Sequence, residues 1–344
     1  MGATFGDVEE GRPRVPTGVL TPVVRRGRRR LGPAVALLVV AVAAGVVAVI
    51  LVRRHERTRP AHAARKPPAA RAAAPSRPRR PVVSRTPAPL LVGPPRVHGA
   101  PRPRLGARAA IVIDAGSGHV LWALHPHRRL AVASTTKIMT AYVALQQLPR
   151  DTIVTVSPAV TRVPLVKEGL RPHERVRAWK LFHGLLMFSG NDDALALAIA
   201  SAGTRRAFVA DMNDHARELG LRDTHFSSPS GVIDLGNYSS AWDLAALTRV
   251  ALRNPRFRRV VRTRIAHIAW SAPTFEKVYV NKNPLLGTYP GANGVKTGWT
   301  TLAGHCLVAS ATRHGRTIVA VLLHDGNVSA DARRLLDLGF ATAP

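Results

Sequence analysis

The stretch from residue 53 to residue 106 constrains the fold of this chain most strongly. It is rich in Pro, Arg and Ala, contains a single acidic residue, Glu56, and has no Phe, Trp or Tyr. A segment of this composition cannot bury enough apolar surface to offset the entropy lost on ordering it. Its prolines favour an extended, semi-rigid spacer. We therefore predict a disordered linker over residues 53–106 and confine the globular fold to residues 107–344.

An uninterrupted apolar run precedes this linker. Residues 33–52 carry no charge and are long enough to cross a bilayer as one helix, so we predict a transmembrane signal-anchor there. The arginine-rich end of residues 1–32 favours a cytoplasmic basic tail, which places the rest of the chain outside the cytoplasm. A cleaved signal peptide is the alternative, because Ala61-His62-Ala63 resembles a small-residue cleavage site.

The charge of the chain is unevenly distributed. The formal net charge is +30, and residues 1–108 contain 22 basic and 4 acidic side chains. Because the arginines flank an apolar run and lie in a proline-rich spacer, an anionic membrane surface explains them better than nucleic acid does. We therefore predict a membrane as partner and no nucleic acid.

The single cysteine excludes an intrachain disulfide. Cys306 lies in the apolar run Cys306–Ala309, which is typical of a buried small hydrophobe rather than of a catalytic thiol.

Beyond residue 107, strands at both ends of the chain enclose a helical middle. This order predicts a mixed α/β (α+β) domain with a central antiparallel sheet, flanking helices and a helical subdomain. The individual predictions are a hairpin of strands 109–114 and 119–123, a helix from residue 134, largely helical residues 180–253, a hairpin of strands 304–312 and 317–324, and a last helix over 330–338.

Ser134-Thr135-Thr136-Lys137 is the first of three short motifs that could carry chemistry. A serine hydroxyl is a weak nucleophile until a base removes its proton. A lysine three residues later lies one helical turn away on the same face, and in a desolvated cleft its amine can act as that base. Alone, this motif equally fits a serine that caps a helix and an exposed lysine.

Ser189-Gly190-Asn191 is the second motif, and by itself it marks a turn as often as a site. Functionally, Ser189 could relay a proton to a leaving amine, and Asn191 could hold a substrate amide or the lysine. The following pair, Asp192 and Asp193, is more typical of a helix N-terminus than of an acid–base dyad.

Lys296-Thr297-Gly298 is the third motif, and it begins a strand-like stretch. Lys296 could supply positive potential near the serine, and Thr297 could bind a substrate carboxylate. Gly298 would let a peptide approach the strand edge. The backbone N–H groups of Trp299 and Ser134 could then form an oxyanion hole.

The three motifs in this order resemble the low-molecular-mass penicillin-binding proteins, which are serine-type D-alanyl-D-alanine carboxypeptidases. The resemblance extends from about residue 108 to residue 340. It rests on the segments 133–140, 188–194, 212–213, 219–220, 224–226, 231–232, 281–286, 290–300 and 335–340.

This resemblance implies a β-lactamase/transpeptidase-like fold and a peptidoglycan hydrolase. Ser134 would attack the carbonyl of the penultimate D-alanine with Lys137 as base, and Ser189 and Asn191 would complete the catalytic set. Lys296, Thr297, Gly298 and Trp299 would bind substrate. No metal and no cofactor would be needed, and β-lactams would acylate the same serine.

Some positions depart from the family pattern. Some members bind the substrate carboxylate with an arginine near the last strand, but residues 325–329 contain none, so recognition would rest on Thr297 or on another residue. Thr135 and Trp299 also stand where other side chains are usual.

Three alternatives stay open at this point. A serine β-lactamase shares the first and third motifs, but the chain lacks the Glu-x-x-Leu-Asn pattern of its deacylating glutamate; Glu168 and Glu174 lie in no such context. A DD-endopeptidase of the same superfamily is chemically close. A non-enzymatic penicillin-recognising protein would be expected to have lost Ser134 or Lys137.

Overall fold

The structure is a computed structural model that describes residues 90–93, 103–232 and 236–342. The predicted tail, membrane segment and most of the predicted linker lie outside the described residues, and those boundaries stay predictions. Within the described ranges, no helix has both the length and the hydropathy that crossing a bilayer requires.

A five-stranded antiparallel sheet forms the centre of the domain, in the order β2-β1-β9-β8-β7. The first and last strands of the chain pair directly, with Ile111 opposite Val321. The sheet consists of β1 (Ala109–Asp114), β2 (Val120–Leu124), β7 (Ala292–Thr300), β8 (Gly304–Arg313) and β9 (Arg316–Asp325). The central antiparallel sheet and the mixed fold class are therefore confirmed.

Both faces of this sheet are covered, which explains why β1 is apolar at every position up to Asp114. Ala109, Ile111 and Ile113 face the large helical core, whereas Ala110 and Val112 face the C-terminal helix. A strand buried on both faces has no polar alternation in its sequence.

Helices occupy most of the middle of the chain, as predicted, but residues 219–240 are not helical where the structure describes them. Glycine, proline and serine residues in that stretch favour turns, so the largely helical stretch predicted over residues 180–253 is interrupted there. The helices are α1 (Lys137–Gln147), α2 (Pro158–Thr161), α3 (Ala178–His183), α4 (Asn191–Ala202), α5 (Arg205–Glu218), α6 (Ala241–Ala251), α7 (Pro255–Arg262) and α8 (Val328–Ala341).

Two small two-stranded sheets were not predicted from the sequence. Strands β3 (Ile153–Thr155) and β4 (Arg175–Arg177) form one, and β5 (Ile265–Ala269) and β6 (Glu276–Val280) form the other. Their strands are three to five residues long and mostly exposed, so they leave little periodic signal.

Candidate active site

Ser134 lies in a 3₁₀ turn, Ala133–Thr136, that leads directly into α1. Ala133 has a φ of 45°, a left-handed conformation that is unusual for a residue with a Cβ and is often found next to functional groups. Lys137 begins α1 one turn later. Its Nζ lies 3.0 Å from Ser134 Oγ, so the predicted pair meets.

The amine of Lys137 has three neighbours. Besides the serine hydroxyl, its Nζ lies 2.9 Å from Asn191 Oδ1 and 3.1 Å from the carbonyl oxygen of Ser230. The two oxygens can only accept hydrogen bonds. A neutral amine has two N–H donors and one lone pair, so donation to both oxygens leaves its lone pair directed at the hydroxyl of Ser134.

Burial favours this neutral form. The side chain of Lys137 is completely buried, and desolvation lowers its pKa to about 7. The positive charge of Lys282 lowers the pKa further, whereas Asp193 and Asp192 oppose the shift. A substantial fraction of Lys137 is therefore a free base at neutral pH.

The second motif lies at an irregular junction between helices. A π-turn, Gly184–Phe188, ends at Ser189, which has a φ of 76°. The sharp left-handed bend directs Ser189 Oγ to Lys296 Nζ, 3.0 Å away. Asn191 begins α4, and its Nδ2 donates to the carbonyl of Pro164, which fixes the amide so that Oδ1 faces Lys137.

The third motif lies on β7, the edge strand of the sheet. A Cβ added to Gly298 would come within 2.9 Å of the Val132 carbonyl oxygen and 3.0 Å of the Ser134 nitrogen. Only glycine therefore allows this strand to lie so close to the nucleophile. Thr297 is partly buried and the side chain of Trp299 is 59% exposed, so both are accessible beside Ser134.

Lys296 provides a second buried amine. Burial lowers its pKa well below the usual range, and the charges of Lys137 and Lys282 act in the same direction. The structure thus brings together six of the residues predicted from the three motifs: Ser134, Lys137, Ser189, Asn191, Lys296 and Gly298. Thr297 and Trp299 flank Gly298 on β7.

Comparison with known proteins identifies the family of this chain. The family model described as D-alanyl-D-alanine carboxypeptidase, of peptidase family S11, matches residues 96–327. The chain belongs to this family of serine hydrolases. The fold class and the enzyme class predicted from the sequence are thereby confirmed.

Individual relatives support the assignment. A D-alanyl-D-alanine carboxypeptidase of Streptomyces sp. strain K15 is 34% identical over 70% of this chain and 89% of its own length. The DacF carboxypeptidase of Bacillus subtilis is 33% identical over 68% of this chain, which spans 62% of that relative. The crystal structure of the Streptomyces K15 DD-transpeptidase has a TM-score of 0.68 at 33% identity, with 71% of this chain and all of that chain covered.

Asp192, in the first turn of α4, has a structural role in this S11 site. Its carboxylate accepts hydrogen bonds from the backbone N–H groups of Glu168, Gly169 and Leu170. The helix N-terminal position predicted for Asp192 is confirmed. Its contacts hold the segment whose Pro164 carbonyl orients Asn191.

Asp193 and Glu168 form a buried acidic pair behind the lysine. Burial raises the pKa of both carboxyl groups. The negative charge of Glu168 raises the pKa of Asp193 further, whereas Lys277 and the hydrogen bond with Asp193 partly offset the effect of burial on the pKa of Glu168. Gly184 has no Cβ, and the space that a Cβ would need is filled by these two carboxyl groups. Glu168 Oε2 and both carboxylate oxygens of Asp193 are buried without a hydrogen-bond partner among the described residues, and one proton shared between the two carboxyl groups would satisfy two of these oxygens.

Lys277 neutralises this pair from outside. Its Nζ lies 2.7 Å from Glu168 Oε1, and its side chain is largely buried. Glu168 is thus engaged in a structural ion pair, and it lies in no context typical of a β-lactamase deacylating base.

Sequence reasoning missed several contributors to the site. Ser230 acts through its backbone carbonyl, which leaves no side-chain signal. Lys282 and Asp193 act on Lys137 through charge, and their proximity to it depends on tertiary contacts. The prediction for Cys306 is confirmed, since the thiol is buried and burial raises its pKa to about 11.

Proposed function

We propose that the protein is a serine D-alanyl-D-alanine carboxypeptidase that removes the terminal D-alanine from peptidoglycan stem peptides through an acyl-serine intermediate. The observation that carries this proposal is the buried amine of Lys137, which contacts Ser134 Oγ and two hydrogen-bond acceptors at once. Family membership supplies the substrate class.

Acylation begins with proton transfer. The lone pair of Lys137 takes the proton of Ser134 while Oγ attacks the carbonyl carbon of the penultimate D-alanine. The backbone N–H groups of Ser134 and Trp299 stabilise the developing oxyanion, as the close approach of Gly298 to the serine nitrogen allows.

Collapse of the tetrahedral intermediate requires a proton on the leaving amine. The protonated Lys137 returns the proton that it took from Ser134 to the leaving nitrogen, with Ser189, which Lys296 holds in place, as relay. D-Alanine leaves with this proton, and Lys137 is again a neutral amine. A water then attacks the acyl-serine ester while Lys137 takes one of its protons, and Lys137 passes that proton to Ser134 Oγ as the ester bond breaks, which restores the serine hydroxyl and the neutral amine.

Substrate recognition involves the open side of β7. Thr297 offers a hydroxyl and Lys296 a positive charge to the terminal carboxylate of the substrate, and the strand edge offers backbone hydrogen bonds. A groove of about 530 Å³ has Asn191 and Ser230, two neighbours of the Lys137 amine, among its lining residues.

Covalent labelling of the full chain with benzylpenicillin tests the proposal. Intact-mass analysis is expected to show one adduct on the wild type and none on Ser134→Ala. Ser117→Ala is the matched control, because Ser117 is an exposed serine in the turn after β1. Release of D-alanine from a peptide ending in D-Ala-D-Ala then establishes hydrolysis. A folded wild type without adduct would overturn the proposal, and rapid drug turnover would favour a β-lactamase.

A DD-transpeptidase is the second candidate, because solved relatives have that title. Both activities share the acyl-serine step and differ in whether water or an amine accepts the acyl group. Adding glycylglycine to the peptide assay distinguishes them. If more of the shortened peptide is transferred to glycylglycine than is released by water, the result would favour the transpeptidase.

We further propose that the catalytic domain works outside the cytoplasm, tethered by residues 33–52. The apolar run between arginine clusters supports this location. Deletion of residues 33–52 is expected to move the protein from the membrane fraction to the soluble fraction, and an unchanged distribution would contradict the anchor.

A further inference from the structure

A second cationic site lies at the other end of β7 from Trp299. It is a cleft of about 670 Å³ between the sheet and the α6–α7 corner. Four arginines contribute to its lining: Arg249, Arg253, Arg258 and Arg262. We call it the arginine cleft.

No carboxylate neutralises these arginines within the described residues. Arg249 donates to the backbone carbonyls of Leu90, Ala115 and Gly116. It forms no ion pair with a described residue, although the charge of Asp114 acts on it from a distance. The neighbouring Arg316, by contrast, is paired with Asp114 at 2.7 Å.

The other three arginines are more exposed. Arg258 donates to the carbonyls of Leu252 and Arg253, again without an acidic partner among the described residues. Arg253 and Arg262 are exposed at the cleft and form no ion pair there with a described residue. Three guanidinium groups are thus accessible to a ligand beside a fixed fourth.

Neutral donors face the same space. Asn293 Nδ2 donates to Thr312 Oγ1 at 2.7 Å, and Thr312 and Thr317 share one hydrogen bond of 2.8 Å between their hydroxyl groups. Each threonine hydroxyl has one hydrogen, and only one of the two is used in the hydrogen bond between them. The other hydrogen can be donated to a ligand.

The positive charges of the cluster repel one another. Burial lowers the pKa of Arg249, the positive charge of Arg253 lowers it further, and the charge of Asp114 opposes this shift. An anion between the two guanidinium groups would replace this repulsion with attraction.

We propose that the arginine cleft binds a phosphate group. Guanidinium forks match the oxygens of phosphate bidentately, and a group with more than one negative charge suits four cations better than a single carboxylate does. The hydroxyl of the threonine pair adds a neutral donor. The phosphate can belong to a soluble polymer or to a lipid headgroup, and the same contacts would recognise both.

The test compares three forms of the full chain at about 150 mM salt, where contacts between distant exposed charges are largely screened. They are the wild type, Arg253→Gln/Arg262→Gln in the cleft, and the matched control Arg206→Gln/Arg222→Gln. Arg206 and Arg222 are exposed and do not line the arginine cleft. Each variant loses two arginines, so both have the same net charge. Circular dichroism confirms that each form is folded.

Two probes distinguish the sources of phosphate. Sodium tripolyphosphate represents a soluble ligand, and phosphatidylglycerol vesicles in phosphatidylcholine represent a headgroup. Hydrogen exchange of residues 249–262 reports binding locally, independently of the basic N-terminal region. Calorimetry with tripolyphosphate gives the affinity, which we expect to weaken about tenfold or more in the cleft variant, since two charge-assisted contacts are lost.

Protection of residues 249–262 in the wild type and control but not in the cleft variant supports the proposal. Protection by tripolyphosphate assigns a soluble phosphate, and protection by vesicles alone assigns a lipid headgroup. Equal behaviour of the cleft and control variants with both probes, or no protection in the wild type, would overturn it. None of these outcomes depends on the peptidase activity.

Discussion

Two groups of basic side chains lie toward opposite ends of β7, and they differ in solvent exposure. At the active site, Lys137 and Lys296 are completely buried, and desolvation lowers the pKa of both. In the arginine cleft, Arg253 and Arg262 are exposed to solvent.

The difference shows why each site uses its residue type. A buried lysine can lose its proton near neutral pH and become a base, whereas arginine stays protonated in proteins. The lysine site is therefore suited to proton transfer, and the arginine site to holding an anion. The following predictions would sharpen this distinction or break it.

Replacing the buried amine should have the largest effect. Lys137→Met removes the base, and we expect acylation by benzylpenicillin to slow about 10³-fold or more. Lys137→Arg should be as slow, because a guanidinium keeps the charge but cannot accept the serine proton. Stopped-flow acylation rates measure both.

Lys167→Met is the matched control for this prediction, since Lys167 is an exposed lysine. It should retain the wild-type rate. An active Lys137→Arg variant would show that positive charge alone suffices at this position, and the comparison of the two sites would fail.

The pH profile of acylation should show the titration of Lys137. Its pKa of about 7 means that the ammonium form dominates below that pH and cannot accept a proton. The rate should fall about tenfold per pH unit well below pH 7 and level off above it. Rates from pH 5 to 9 test this, and a profile that is flat between pH 5 and 7 would exclude Lys137 as the base.

Asp193→Asn should change how stability depends on pH. The raised pKa of the buried carboxyl pair means that the folded protein binds a proton that the unfolded chain releases above about pH 4. The wild type therefore loses stability as pH rises through the folded-state pKa, by at most about 1.4 kcal/mol per pH unit for one proton.

In Asp193→Asn, the amide can donate to Glu168 at any pH, so this loss should disappear. Urea unfolding at pH 5 and pH 8 measures the effect. The free energy of unfolding of the variant relative to the wild type should increase with pH. A difference that is independent of pH would rule out a shared proton.

The smallest effect is expected in the arginine cleft. Arg253→Gln/Arg262→Gln should alter the free energy of unfolding by less than about 0.5 kcal/mol, as is usual for exposed side chains away from special contacts. Its acylation rate should equal that of the wild type. Slower acylation would mean that the two ends of β7 are coupled.

Much of the architecture was accessible from the sequence. The apolar runs of β1, β8 and β9 and the turns between them indicated the sheet, since strands buried on both faces are apolar throughout. Hairpins such as β5–β6 escaped prediction because short, exposed strands have no such pattern. Residues 219–240 interrupt the largely helical stretch predicted over residues 180–253, because their glycine, proline and serine residues favour turns.

Part of the candidate site was likewise predictable from the sequence, and part depended on the tertiary structure. Sequence by itself determined the reactive side chains, because Ser134 and Lys137 lie one helical turn apart and local geometry alone brings them together. Asn191, Lys296 and the carbonyl of Ser230 are distant in sequence, and tertiary folding alone placed them around that pair. It also decided the protonation of Lys137, because a pKa depends on burial and on neighbouring charges, which exist only in the folded protein.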